Sequence, residues 1–288
     1  MAARYYMEHP GPVHPHRIEW ARSRLIHVIA TTGTPGQSLE QAIADAVAAT
    51  GATSGNGTLR GLKLSKTRFT TGGPARDGKA ANYTFIRDWQ AHALSVGTFT
   101  FGLDQEGQPF VHCHAVIDDP ENDAPIAGHL FPKDCVVAAP FDVSLVGLPD
   151  ITLIQRPDPE TLHSVFDIGD SRSAQGDALF IRVRPNEDVT RAVERACAEA
   201  GIIDATIAAS VGSLNAPQLD TGSHESVGME VIAFNGQVRA GVATMHAQLC
   251  NEGGTLFGGQ LIADGASVCV TAELIVSQAD YARPVATP

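Results

Sequence analysis

The chain has 288 residues, 20 Lys+Arg against 32 Asp+Glu for a formal charge of −12, and 43% hydrophobic residues. That much apolar side chain excludes a disordered chain, and the length suits one large domain or two ordinary ones. The acidic balance argues against nucleic-acid binding, because the densest basic runs, Arg17 to Arg24 and Arg60 to Arg68, are thin and not interleaved with aromatics.

In chain order, Met1 to His16 is rich in Pro and His and reads as part of an irregular arm over 1–21. It has no apolar h-region, so no signal peptide is expected, and no apolar run reaches the ~18–20 residues of a membrane span. The five cysteines (Cys113, Cys135, Cys197, Cys250, Cys269) are odd in number and scattered, without C-x-x-C. They imply reduced thiols in a cytoplasmic protein, neither a disulfide framework nor a Cys-rich zinc site.

The first periodic segment is Leu39 to Gly51, where Leu39, Ile43 and Val47 share a helical face, Ser38 stands at the N-cap and Gly51 at the C-terminal cap. Gly55 to Gly61 follows with G-x-G-x-x-x-G spacing, one residue longer than a dinucleotide fingerprint and behind a helix, where a strand is required. It reads as a tight turn at a sheet rim, with Arg60 and Lys63 as candidate ligand-binding cations. Residues 67–103 read as an inserted loop or excursion. Phe110 to Val116 is a strand, a hairpin returns through Ala127-Gly-His-Leu130, and a β-branched run leads to Asp142. A polar linker is expected over 156–176.

The same order then recurs. Val189 to Gly201 repeats the helix with Asp188 at its N-cap, offset by 150 residues; Gly212-Ser-Leu214 echoes Gly57-Thr-Leu59; Ala243 to Leu249 is a strand carrying His246. Gly258-Gly-Gln-Leu261 and Glu273 match His129 and Asp142 at a constant offset of 131. The expected organisation is an arm (1–21), a first domain (22–155, insertion at about 67–103), the linker, and a second domain (177–288).

Strand alternation places His112 and His114 on one face with Cys113 on the other, and the hairpin brings His129 beside them. Three imidazoles on adjacent strands suit zinc or another divalent transition metal, with Asp142 as a candidate general base. The His-x-His spacing alone is weak, since His14-Pro-His16 also has it, and histidines also line interfaces or satisfy buried polar groups. The second-copy equivalents are His246, Gln248 and Gln260; amides are poor zinc ligands, so a metal is expected in copy one. Copy two would be a degenerate partner retaining Glu230 and Glu273. No Gly-x-Ser-x-Gly elbow occurs.

The ordered helix, Gly-Ser-Leu turn, His-x-His strand, Gly-His-Leu and terminal acid resemble the PPC (PCC, plants and prokaryotes conserved) domain, in two tandem copies. The resemblance implies an α+β fold, each copy a mostly antiparallel β-sheet packed against an α-helix, and assembly commonly as trimers. It also implies that His112, His114 and His129 match the pattern's own histidines. Bacterial members are often labelled DNA-binding, yet no Arg-Gly-Arg-Pro-type AT-hook core occurs here. The function expected is small-molecule binding at the histidines, with a metal and metal-assisted catalysis, in a self-associating bacterial protein without membrane contact. The alternatives are a DNA-associated regulator and a structural oligomerisation module.

Overall fold

The computed structural model describes residues 5–75, 77–118, 124–171 and 175–278. Parts of the expected arm (1–4), hairpin (119–123), linker (172–174) and second domain (279–288) lie outside the described residues.

Two short helices form where the caps and the apolar period coincide, α1 at Leu39–Ala48 and α2 at Val189–Glu199. The Ser38 side chain accepts from the Gln41 amide and the Asp188 side chain from the Arg191 amide, each satisfying a donor the helix leaves unpaired. Gly51 and Gly201 follow with φ of 73° and 71°, the left-handed conformation that ends a helix without steric cost in glycine.

The strands of the first half are β1 (Ile18–Ser23), β2 (Ile26–Thr32), β3 (Gly55–Thr70), β4 (Gly72–Pro74), β5 (Ala81–Tyr83), β6 (Arg87–Leu103), β7 (Pro109–Ile117), β8 (Ile126–Leu130), β9 (Val136–Val137), β10 (Phe141–Gly147), β11 (Ile151–Pro157) and β12 (Ser164–Ser171). Those of the second are β13 (Ala178–Val183), β14 (Ala205–Asn215), β15 (Gln218–Leu219), β16 (Gly222–Ser223), β17 (Met229–Arg239), β18 (Val242–Cys250), β19 (Leu256–Gln260) and β20 (Ser267–Ser277). The first sheet contains the order β2-β10-β3-β6-β7-β8, and the second β13-β20-β14-β17-β18-β19. In each, the helix follows the first strand, so both halves share one topology. The fold is α+β, two mostly antiparallel sheets each packed by one helix.

Four segments differ from the sequence expectation. Gly55 to Gly61, read as a tight turn, is the first part of β3 and pairs with β10 on one side and β6 on the other. Residues 67–103 are no loop: β3 and β6 run on as one long hairpin, paired from Gly55↔Phe101 to Phe69↔Arg87, with β4 and β5 paired at its tip. Leu62, Leu64 and Leu94, Phe99 and Phe101 are buried along it and alternate with other residues at the period of a half-buried strand. The segment expected as linker carries β12, whose Val165 and Phe166 are buried; with β11 it extends the first sheet beside β6. The expected arm runs into β1, which leaves its own half and pairs with β13 at the edge of the second sheet.

The layers run helix, sheet, sheet, helix. α1 and the first sheet enclose one apolar cluster, with Ile43, Phe69, Phe99 and Cys113 at 0% exposure; α2 and the second sheet enclose another around Val193, Cys197 and Phe234. Smaller clusters join the inner faces, Val116 and Ala127 against Ile232 and Cys250, and Val146 and Phe166 against Phe180, Ala208 and Ile275. A buried ion-pair cluster adds to the junction, Arg182 with Asp167 and Arg184 with Glu19 and Asp158. All five cysteines are free and buried. Among the described residues no helix is long and apolar enough to cross a membrane.

The two caps differ in burial. Asp188, 2% exposed, also accepts from the Ala266 amide at 2.9 Å, whereas Ser38 makes a single 3.2 Å cap bond. Asp188→Ala is expected to cost about 2 kcal/mol in urea unfolding, and Ser38→Ala about 0.5–1 kcal/mol. Equal losses would count against the double role of Asp188.

Candidate metal centre between the two sheets

Strand β7 turns Val111, Cys113, Ala115 and Ile117 toward α1, so His112 and His114 face the other sheet. His129 on β8 sits opposite His114 in the β7–β8 ladder and opposite Thr70 at the far end of β3. This second pairing closes β3, β6, β7 and β8 on themselves and needs a glycine beside it: a Cβ at Gly128 would lie 2.2 Å from the Thr70 carbonyl oxygen. The three rings form a triangle, with His112 Nε2 3.1 Å from His114 Nε2 and His114 Nε2 3.1 Å from His129 Nδ1.

What fixes the rings comes largely from the second half. His112 Nδ1 lies 3.0 Å from Glu273 Oε2 on β20, and His114 Nδ1 lies 2.7 Å from the Val231 carbonyl on β17. A carbonyl only accepts, so His114 carries its proton on Nδ1, and its neutral ring turns the Nε2 lone pair to the centre. Glu273 does the same for His112 when that ring is neutral. His129 Nε2 is 3.2 Å from the Tyr83 hydroxyl on β5, which leaves Nδ1 pointing inward. Glu230 Oε2 on β17 is 3.3 Å from His114 Nε2, and Glu273 Oε1 is buried with no protein partner.

Burial sets the protonation of these groups. It holds His114 and His129 well below the usual imidazole range, and the neighbouring imidazoles lower them further. Burial also opposes the charged form of His112, but the charge and hydrogen bond of Glu273, with Glu230 behind, outweigh it and leave that ring above its ordinary value. Without a metal, a proton on His112 Nε2 can bridge to His114 Nε2. Burial pushes the Glu230 carboxyl up to about 7, against the pull of His112. Tyr83 is raised by burial and by the two glutamates, and so stays a neutral phenol.

The donor set fits a divalent transition metal. Nitrogens ~2.0–2.1 Å from a tetrahedral zinc lie about 3.3 Å apart, close to the two 3.1 Å separations from His114, and all three lie within 4.8 Å of one another; two carboxylates stand by as a further ligand or as partners of the ligating rings. A pocket of about 90 Å³ adjoins the triangle, and its lining includes His112, His129, Glu230, Glu273, Phe110 and Phe166.

The remaining expected site residues lie elsewhere. Asp142 is exposed on β10, accepts from the Thr31 hydroxyl at 2.8 Å, and is separated from β7 by β3 and β6. Two acids of the other half reach the histidines instead, its counterpart Glu273 and Glu230. Arg60 and Lys63 are exposed on β3 and do not line the pocket. His246 is exposed and Gln248 and Gln260 half-buried on β18 and β19, also outside the pocket. Their ladder pairs His246 with Gln260 and Gln248 with Gly258. The pair matching His114–His129 is therefore His246–Gln260, a shift of two residues from the sequence alignment, made by the shorter β18–β19 turn. Tyr83 carried no sequence signal, lying in the segment read as an insertion.

Residues 171–280 match the model of the Plants and Prokaryotes Conserved (PCC) domain. Among solved structures, a protein of Ralstonia eutropha JMP134 to which DNA binding has been ascribed is 16% identical, with a TM-score of 0.39 over 49% of this chain and 90% of its own. A metal-containing protein of Archaeoglobus fulgidus is 13% identical, with a TM-score of 0.37 over 52% of this chain and 97% of its own. A plant- and prokaryote-conserved (PPC) protein of Pyrococcus horikoshii is 17% identical, with a TM-score of 0.34 over 54% and 97%. No curated protein matches the sequence.

The raised Glu230 has a pH signature in metal-free protein. A carboxyl whose folded pKa is raised contributes stability below its ordinary value and loses it as pH rises through about 7. His114 and His129 act oppositely, losing stability as pH falls below the ordinary imidazole value. Glu230→Gln removes the first effect and part of what raises His112, whose contribution likewise falls as pH rises. It should match wild type in Tm at pH 5 and exceed it at pH 8, while parallel curves would refute the buried-carboxyl assignment.

Proposed function

We propose that the chain is a tandem pair of PCC domains whose first copy binds a divalent transition metal and whose second copy completes that site for a small molecule. The observation that carries this reading is the triangle of inward ring nitrogens, each oriented from outside by a carboxylate, a carbonyl or a phenol. Histidines that served only packing would have no need of three outer partners that each leave the ring's other nitrogen facing its neighbours.

His112, His114 and His129 would hold the ion, and Glu230 or Glu273 would supply the fourth donor. Bound there, zinc or a related ion would supply Lewis acidity toward a carbonyl or water. The chain's own groups do the rest. Glu273 holds the proton of His112 Nδ1; the Val231 carbonyl fixes the His114 tautomer; Tyr83 packs against His129 and shields it, ring centroids 4.8 Å apart. With Glu273 as the fourth donor, Glu230, whose Oε2 lies 3.3 Å from His114 Nε2, would be the acid placed to take or return a proton beside the ion. That role, which the sequence suggested for Asp142, fits Glu230 better.

Nucleic acid forms no part of this reading. The formal charge of −12 and two carboxylates at the site oppose phosphate. The two halves pack on each other within one chain, as subunits of a self-associating domain would, in a cytoplasmic setting suited to five free thiols.

Protein purified without an affinity tag, loaded with zinc and dialysed, should retain close to one zinc per chain by elemental analysis. His112→Ala and His129→Ala should each lose most of it, and His246→Ala should retain it. Zinc content unchanged in the first two variants, with their folds intact by circular dichroism, would sink the proposal.

A further inference from the structure

Resting on that metal reading, the geometry points to a ligand class: a small uncharged molecule with a metal-binding polar head and an aliphatic arm of about three or four carbons.

The charge follows from the pocket lining. Among the described residues, Glu230 and Glu273 are the charged groups that line it, and no Lys or Arg does. Three neutral imidazoles and two carboxylates already balance a dication. An anionic head would bring an uncompensated charge into a site where Glu273 is 0% exposed, whereas an uncharged head would not. The unpartnered Glu273 Oε1 and the buried, unpartnered Thr271 hydroxyl offer hydrogen-bonding capacity to such a head.

The arm follows from the apolar part of the lining. Phe110, two residues from His112 and on the same face of β7, meets Phe166 edge to face at 5.4 Å, and Val165 and Val270 line the pocket with them. Two lining glycines bring the halves close together here: a Cβ at Gly72 would lie 2.0 Å from the Gly228 carbonyl oxygen. At about 90 Å³ the space is smaller than the ~150 Å³ cavity that takes up benzene, so it admits a short chain and not an aromatic ring.

Calorimetry on the zinc-loaded full chain tests this with hydroxamic acids, which arrive uncharged and bind zinc. Butyrohydroxamic acid should bind more than tenfold tighter than acetohydroxamic acid, at about fourfold per buried methylene. Octanohydroxamic and benzohydroxamic acids should fall back, and butyrate and inorganic phosphate should bind at least tenfold more weakly than butyrohydroxamic acid. Phe110→Ala, at a half-buried ring, should erase the gain from acetyl to butyryl while leaving acetohydroxamic acid unaffected. A flat chain-length series, or butyrate or phosphate binding as well as the hydroxamate, would overturn the ligand class while zinc binding stands. Absence of zinc uptake in a prior zinc titration would instead refute the metal reading beneath it.

Discussion

The structure turns on the contact between His112 and Glu273, a hydrogen bond from one sheet to the other in the middle of the molecule. Around it the two inner faces are only partly apolar. The small clusters that join them flank a band of imidazoles, carboxylates and hydroxyls that would be costly to bury alone. The two sheets satisfy one another instead: Glu273 meets His112, Val231 meets His114, and the Asn56 amide reaches Ser210 and the Glu273 carbonyl. Losing one partner of such a pair strands the other, at a cost of about 3–5 kcal/mol for a buried charge. The polar band thus specifies how the halves face each other, while the apolar layers beneath the helices supply most of the cohesion.

Local signals in the sequence carried far. Caps at Ser38 and Asp188, left-handed glycines at 51 and 201, and alternation through His112, Cys113 and His114 are short-range effects, and each has its counterpart in the coordinates. The repeated order of elements was legible for the same reason. Contacts between halves were not. Nothing near Glu273 announces that it meets a histidine 161 positions away, so the offset that paired it with Asp142 identified the right kind of residue in the wrong copy. The excursion at 67–103 was misread because two strands of 16 and 17 residues exceed the usual length, and their turn-like tip suggested a loop.

Two halves of one topology within a single chain are free to differ. In an assembly of identical subunits, every copy carries both the ligands and the acids. Here the first half keeps three histidines and the second keeps two buried glutamates, while His246 and Gln260 lie outside the pocket beside the histidines. The shorter β18–β19 turn, which shifts that ladder, marks the same divergence.

The strand exchange at the start of the chain has a consequence for synthesis. β1 pairs with β13, which leaves the ribosome roughly 160 residues later, and β12 returns to the first sheet before the second has begun. The first half therefore emerges with its sheet closed but with the histidine face bare and its N-terminal strand unmatched. That face is sealed only when β17 and β20 arrive, so the imidazoles of a growing chain stand open to solvent until the second sheet packs over them.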